Sequence, residues 1–314
     1  MYLRGKPKQD KIILYTKLKF WTRCVDMAEK IIETAYAKIN LGLRILGKRD
    51  DGYHEVSMIM QSVGLSDEVI ISEGEGIQIS TNLEGLTCGK DNLAYKAAAL
   101  LAERYNITPN VHIVLNKKIF MAAGLAGGSS DAAAVLRGLN KYWNLNLYDD
   151  RLEALAAELG SDVPFCINGG SAIAKGRGEI LLPLPDMPEC WVVLAKPKNL
   201  DISTAWVYKN YNAGRVVNTP GIWQLAEKIT HGAKAMVPYM GNALETVTIP
   251  AHPQIAWIKT TMLKAGAYFS MMSGSGPTVF AFTEDKETAE KVVAALKDFN
   301  VETAITTTVG RKKT

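Results

Sequence analysis

The sequence predicts an α+β protein of two domains. Three observations carry that expectation. At 314 residues the chain is long enough to bury two cores. Stretches with strand alternation and stretches with helical spacing are interspersed, without the regular βαβ repeat of a parallel sheet. The cluster Pro183-Leu184-Pro185-Asp186-Met187-Pro188 is the strongest break along the chain. The expected division is a basic extension at 1–26, a first domain at 27–178 and a second at 179–314.

Composition excludes several classes. Hydrophobic residues make up 47% and charged residues 22%, ordinary for a globular chain. No apolar run approaches the ~20 residues of a membrane span. The net charge of +4 is concentrated at the start, where residues 1–26 hold seven basic and two acidic side chains. The rest is close to neutral, which gives no electrostatic case for nucleic acid. The same 26 residues lack the long apolar core of a signal peptide. They read as an upstream start or a dispensable extension, Met27 being a natural beginning, with contact to nucleic acid or a membrane surface as the less favoured alternative. Cys24, Cys88, Cys166 and Cys190 show no C-x-x-C spacing, and the four histidines form no zinc pattern. A reducing, cytoplasmic setting is expected.

Taken in order, Thr34–Leu43 alternates as a strand, so Lys38 and Asn40, at i and i+2, share a face. That face could equally be solvent. Lys48–Glu55 is a turn into a second strand, with Asp51-Gly52 suited to the reversal and Tyr53-His54 just after it. Asp91 is a good N-cap for a helix whose apolar face is Leu93, Ala97, Leu100 and Leu101, ending near Asn106. Val111–Leu115 is a strand by its alternation. A helix over 151–159 is expected, capped by Asp149 or Asp150 and stopped by Gly160. Asp162 follows, and an aspartate just after a helix is commonly a turn residue bonded to its own backbone.

Ser171–Ala174, Ile180–Leu182 and Trp191–Ala195 read as strands. Residues 220–233 and 253–265 read as helices. Lys286–Phe299 is amphipathic, with Ala289, Val292, Val293 and Leu296 inward, and Val301–Val309 is a last strand.

Between the Val111–Leu115 strand and the helix carrying Val135, Leu136 and Leu139 lies a run of small residues: Phe120, Met121, Ala122, Ala123, Gly124, Leu125, Ala126, Gly127, Gly128, Ser129 and Ser130. Strand, glycine loop, helix is an arrangement that exposes backbone N–H groups to an anion, and phosphate is its natural ligand. A Walker A loop is excluded because no Gly-Lys-Ser/Thr is present, and the dinucleotide fingerprint because the glycine spacing is wrong. The plainer reading is a small-residue turn that lets a helix pack closely.

The segment Gly124-Leu125-Ala126-Gly127-Gly128-Ser129-Ser130-Asp131-Ala132-Ala133 resembles the ATP loop of the GHMP kinases (galactokinase, homoserine, mevalonate and phosphomevalonate kinases). Phe120 stands where that family usually has proline. Two further stretches resemble family motifs: Gly160-Ser161-Asp162-Val163-Pro164, and Met271–Phe280 with its serines and glycines. The resemblance spans about residue 34 to the end, with the motifs in the expected order. It implies an N-terminal domain like ribosomal protein S5 domain 2 and a ferredoxin-like C-terminal domain.

The resemblance also implies ATP and Mg²⁺ as cofactors, a small-molecule alcohol as acceptor, and Lys38 and Asp162 as catalytic residues. Phe120 to Ser130 would bind nucleotide, with the Ser130 hydroxyl as a magnesium ligand. Gly52-Tyr53-His54 and the Leu200–Tyr208 segment resemble the branch whose acceptor carries cytidine, 4-diphosphocytidyl-2-C-methyl-D-erythritol. Asn40, Tyr53, His54, Thr204 and Tyr208 would then contact substrate. The alternatives are a homoserine, mevalonate or sugar kinase of the same superfamily, and a non-catalytic member. The second is disfavoured because Lys38 and Asp162 are both present. No nucleic acid or membrane partner is expected, and monomer and homodimer are both open.

Overall fold

The computed structural model describes residues 30–312, so the basic extension expected at 1–26 lies outside the described residues. The first half contains β1 (Ile31–Lys48), β2 (His54–Glu73), β3 (Gly76–Thr81), α1 (Leu93–Arg104), β4 (Asn110–Asn116), α2 (Gly127–Tyr142), α3 (Asp149–Leu159), α4 (Val163–Asn168), β5 (Ser171–Gly176) and β6 (Ile180–Pro183). The second contains β7 (Trp191–Pro197), α5 (Thr204–Lys209), α6 (Ile222–Lys228), α7 (Ala233–Met236), β8 (Gly241–Asn242), α8 (Glu245–Ala251), α9 (Gln254–Lys264), β9 (Phe269–Met272), β10 (Val279–Thr283), α10 (Lys286–Ala295) and β11 (Val301–Thr307).

Two long antiparallel strands, β1 and β2, form the spine of the first sheet. Its order is β3-β4-β2-β1-β8, with β5 pairing the start of β2 and β6 pairing β5. The first sheet therefore runs through Pro183, directly into the proline cluster. One of its faces is covered by α1 and α2, whose alanines and leucines bury against Val69, Ile71, Ile113 and Leu115. Small side chains let these helices sit close to the sheet. A Cβ on Gly138 of α2 would lie 2.5 Å from Ile71.

The second sheet is antiparallel in the order β11-β7-β10-β9. With α9 before β9 and α10 before β11, this is the ferredoxin-like β-α-β-β-α-β order. The mixed architecture agrees with the α+β expectation. The residues after β11 return to the first domain: Val309 N donates to Ser62 O of β2 at 2.9 Å, and Lys312 N to Asn168 O at the end of α4 at 3.0 Å.

Two caps differ from expectation. Asn92, not Asp91, caps α1, its side chain accepting from Ala94 N at 2.9 Å. Asp149 and Asp150 lie inside the first turn of α3 and neither caps it. There they still oppose the positive end of the helix dipole. Gly160 does stop α3, its N–H reaching Ala156 O.

Candidate active site

β1 is irregular where it matters. Its pairing with β2 shifts register between Tyr36 and Ala37 and again between Asn40 and Gly42. Bulges of this kind re-aim side chains. Between them, Lys38 and Asn40 share a face, as the i, i+2 spacing requires. That face is interior, since Lys38 is 4% exposed and Asn40 1%.

The Lys38 ammonium donates to Asn40 Oδ1 at 3.1 Å and to the Gly124 carbonyl at 3.1 Å. It also lies 3.5 Å from Asp162 Oδ2. A buried cation needs such partners to be tolerated. Asp162 directly precedes α4 but makes no capping hydrogen bond with its side chain. Its carboxylate is not spent on a turn, and the side chain keeps 31% of its exposure.

The glycine loop connects β4 to α2. Its backbone enters the left-handed region at Ala122, Gly124 and Ala126. Ser130 N donates to Ala126 O, the first helical bond, and no side chain caps the helix. The N–H groups of Gly127, Gly128 and Ser129 precede that bond and have no intrahelical acceptor. They form the anion-binding end of the loop. Ala123 and Leu125 are buried and anchor the loop in the core, so only their backbone could meet a ligand. Phe120 is half-buried against the same cluster, and Met121 is exposed.

Ser130 is tied to the neighbouring strand. Its hydroxyl donates to Tyr36 O at 2.7 Å, and the residue is 1% exposed. Among the described residues no group of three or more His, Cys, Asp or Glu side chains is placed to hold a metal ion.

The second domain closes over the loop. Ser273 Oγ donates to the Gly124 carbonyl at 3.1 Å, and Thr278 N to Ala123 O at 3.4 Å. A Cβ on Gly124 would stand 2.4 Å from Ser273 O, and its φ is +73°. Only glycine fits that approach and that backbone. Asn242 holds the opposing turn, donating to Met272 O at 2.9 Å and Gly274 O at 2.7 Å.

Beside the Lys38–Asp162 pair is an aromatic cluster. His54 and Tyr208 have ring centroids 5.3 Å apart at 37°, and Tyr211 meets His54 edge-on at 6.4 Å. Burial and the Asp162 charge raise the Tyr208 hydroxyl pKa, keeping it a neutral donor. Burial, with Lys48 nearby, lowers that of His54 and favours the neutral ring. Sequence reasoning missed Tyr211, although its i+3 spacing from Tyr208 was a usable signal.

Tyr53 is not in this cluster. It is 53% exposed, with the Arg177 guanidinium 4.9 Å from its ring centroid. Thr204 is exposed at the start of α5, its hydroxyl 2.9 Å from Ser275 Oγ.

A second feature missed by sequence lies under the loop. Lys117 is buried between Asp67 and Asp131, its ammonium donating to Asp67 and, at 2.5 Å, to Asp131 Oδ2. Burial, opposed by Lys117 and reinforced by Asp67, pushes the Asp131 carboxyl up to about 7.

Comparison with known proteins bears on the family and the fold. Residues 92–170 match the GHMP kinases N terminal domain, and residues 219–302 the GHMP kinases C terminal domain. The chain is 46% identical over 288 residues to the 4-diphosphocytidyl-2-C-methyl-D-erythritol kinase of Bacillus cytotoxicus (strain DSM 22905 / CIP 110041 / 391-98 / NVH 391-98), covering 91% of this chain and 99% of that one. The same figures hold for the kinase of that name from Bacillus mycoides (strain KBAB4).

Among solved structures, a 4-(cytidine 5'-diphospho)-2C-methyl-D-erythritol kinase superposes with a TM-score of 0.77 at 31% identity, covering 89% of this chain and all of that one. A homoserine kinase from Cytophaga hutchinsonii ATCC 33406 gives 0.71 at 20% identity, covering 91% and 96%, a likeness of fold alone.

Proposed function

The chain belongs to the GHMP kinases, and from that premise we propose that it transfers the γ-phosphoryl group of ATP to the 2-hydroxyl of 4-diphosphocytidyl-2-C-methyl-D-erythritol. The product is the 2-phosphate, an intermediate of the methylerythritol phosphate route to isoprenoid precursors. The observation that carries the reading is one ammonium group, Lys38 Nζ, in contact with both the phosphate loop and the free carboxylate of Asp162. Phosphoryl transfer asks for this kind of positioning and charge neutralisation more than for covalent help.

In this reading the N–H groups of Gly127, Gly128 and Ser129 hold the phosphates at the start of α2. The acceptor's O–H points at Asp162, which takes its proton as the oxygen bonds to the γ-phosphorus. The bond to the β-phosphate oxygen breaks and ADP leaves. Lys38 faces the transferring group and offsets its developing charge, and its burial strengthens that effect. Asn40 keeps the ammonium aimed by accepting one of its N–H hydrogen bonds.

Tyr208, with His54 beside it, forms a surface for a planar base, and Tyr211 closes its edge. Thr204 would reach the acceptor from beside Ser275, whereas Tyr53 stands apart from the ring pair, against Arg177. Tyr53 would have to release the Arg177 guanidinium to offer its ring face.

Magnesium is expected with ATP, but the residues present do not fit an ion held by the protein. The Ser130 hydroxyl is committed to Tyr36 O. Phosphate oxygens and water, the usual donors to this ion, would supply its shell.

The test is ADP release by the purified chain with ATP and Mg²⁺, offered the cytidine-bearing alcohol, homoserine or mevalonate. Release with the first alone, suppressed by excess CMP, is the expected result. Release with another alcohol would keep the phosphate loop and discard the roles of His54 and Tyr208.

A further inference from the structure

The loop that meets ATP in this reading is closed underneath by a buried ion triad. Lys117 is the first residue after β4, so it stands where the loop begins. Asp131 is in the second turn of α2, just past where the loop ends. Asp67 comes from β2, on the other side of the lysine. The Lys117 ammonium donates to both carboxylates, and all three residues are buried.

Asp67 has a second task. Its other oxygen accepts Lys118 N at 2.5 Å and Ile119 N at 2.8 Å. Asn82 grips the same point from β3's side, accepting Lys117 N at 2.7 Å and donating to Lys117 O at 3.2 Å. The far end is tied as tightly. A Cβ on Gly127 would lie 3.2 Å from Ile119 and 3.6 Å from the Lys117 ammonium. The two ends of the loop therefore touch each other across this triad.

A fold needs no such device for stability alone, because a buried pair of charges commonly does no better than apolar side chains of the same volume. What it fixes is the position of a loop with three left-handed residues and few side chains of its own. Asp131 Oδ1 is buried without a partner, so this carboxylate is held by the lysine alone.

We propose that Lys117, Asp67 and Asp131 are positioning residues for nucleotide. They act through the backbone of Ala126, Gly127 and Gly128, without touching ATP themselves. The proposal rests on the kinase reading above. It makes nucleotide affinity depend on residues that the acceptor alcohol does not sense.

The experiment compares the full-length chain with Asp131→Ala and Asp131→Asn. ATP binding is measured by calorimetry, and steady-state kinetics give KM for each substrate. Asp131→Ala is expected to weaken ATP binding and raise its KM at least tenfold, with the acceptor's KM within twofold. Asp131→Asn keeps an acceptor for Lys117 and is expected to recover ATP binding to within about threefold.

An Asp131→Ala chain with unchanged ATP affinity would overturn the proposal, as would equal losses for both substrates. Should that variant not fold, Asp67→Asn replaces it, since it keeps a carbonyl for Lys118 and Ile119 while turning an amide toward Lys117. The same tenfold loss for ATP alone is expected, and failure of both variants to fold would assign the triad to folding and overturn the proposal. Wild-type protein that binds no ATP would instead remove the kinase reading itself.

Discussion

Lys38 and Asp162 face each other at 3.5 Å from different parts of the first domain, one in the middle of β1 and the other at the foot of α4. Neither carboxylate oxygen of Asp162 is used to cap the helix it precedes. Replacing the aspartate by its neutral isostere therefore removes charge and basicity while sparing the local backbone. Asp162→Asn is expected to lower kcat by at least ~10²-fold, the scale of a general base. Its circular dichroism and melting temperature should stay near wild type. Turnover within a few fold of wild type would take Asp162 out of that role.

The glycines of the loop are not equivalent, and two alanine substitutions separate their tasks. At Gly124 a methyl group collides with Ser273 O and sits on a left-handed backbone. Gly124→Ala is expected to lower stability by more than about 1 kcal/mol, the scale for a non-glycine residue forced into that region. At Gly128 the new Cβ meets nothing nearer than Leu93 at 3.8 Å. Gly128→Ala should melt like wild type, yet raise KM for ATP several-fold because its methyl group stands where phosphate approaches the helix. A paired thermal melt and ATP titration distinguishes the two, and equal effects at both positions would refute the distinction.

Tyr208 offers the test of cytidine recognition. Stacking of a base on an aromatic ring contributes about 1–3 kcal/mol by alanine substitution. Tyr208→Ala should accordingly raise KM for the cytidine-bearing acceptor by roughly five-fold or more at that scale. KM for ATP should not change. Tyr208→Phe keeps the ring and should retain most of the affinity. Inhibition by CMP gives the same comparison without turnover, and an unchanged inhibition constant in Tyr208→Ala would exclude stacking.

The legibility of this protein in its sequence follows a physical divide. The strand–loop–helix core of the first domain was readable because local rules decide it: alternation at Val111–Leu115, small residues in the loop, helical spacing from Val135 onward. The caps were less readable. Asp91 and Asn92 are both good capping residues, and which one takes the position depends on where the chain turns. The Lys117 triad could not be read at all. Its members are 50 and 14 residues apart, and pairing across such a distance is set by how β2, β4 and α2 pack.

Ser130 makes a contact that could not be read for a related reason. The helical turn directs its hydroxyl hydrogen at the Tyr36 carbonyl of the neighbouring strand. The aromatic site divided in the same way. His54 and Tyr208, 154 residues apart, do meet, whereas Tyr53, in the turn just before His54, meets Arg177 instead.

Glu33 sets the expected acid response of the first domain. Burial opposes its ionisation, but Arg137, Lys141 and Lys312 together outweigh that and hold its pKa down at about 2. A folded pKa below the unfolded value near 4.5 means stability that is fully present above about pH 5. It is lost as pH falls toward 2. A shift of that size corresponds to about 3 kcal/mol. Glu33→Gln should be destabilised at pH 7 by a comparable amount, since it also strands the buried Arg137. The gap between variant and wild type should then narrow steadily from pH 5 to pH 3, because Glu33 of the unfolded wild-type chain takes up its proton there while the folded carboxylate stays ionised. Urea midpoints at pH 7, 5, 4 and 3 measure this directly, and a gap independent of pH would show that Glu33 is held by packing and not by its charge.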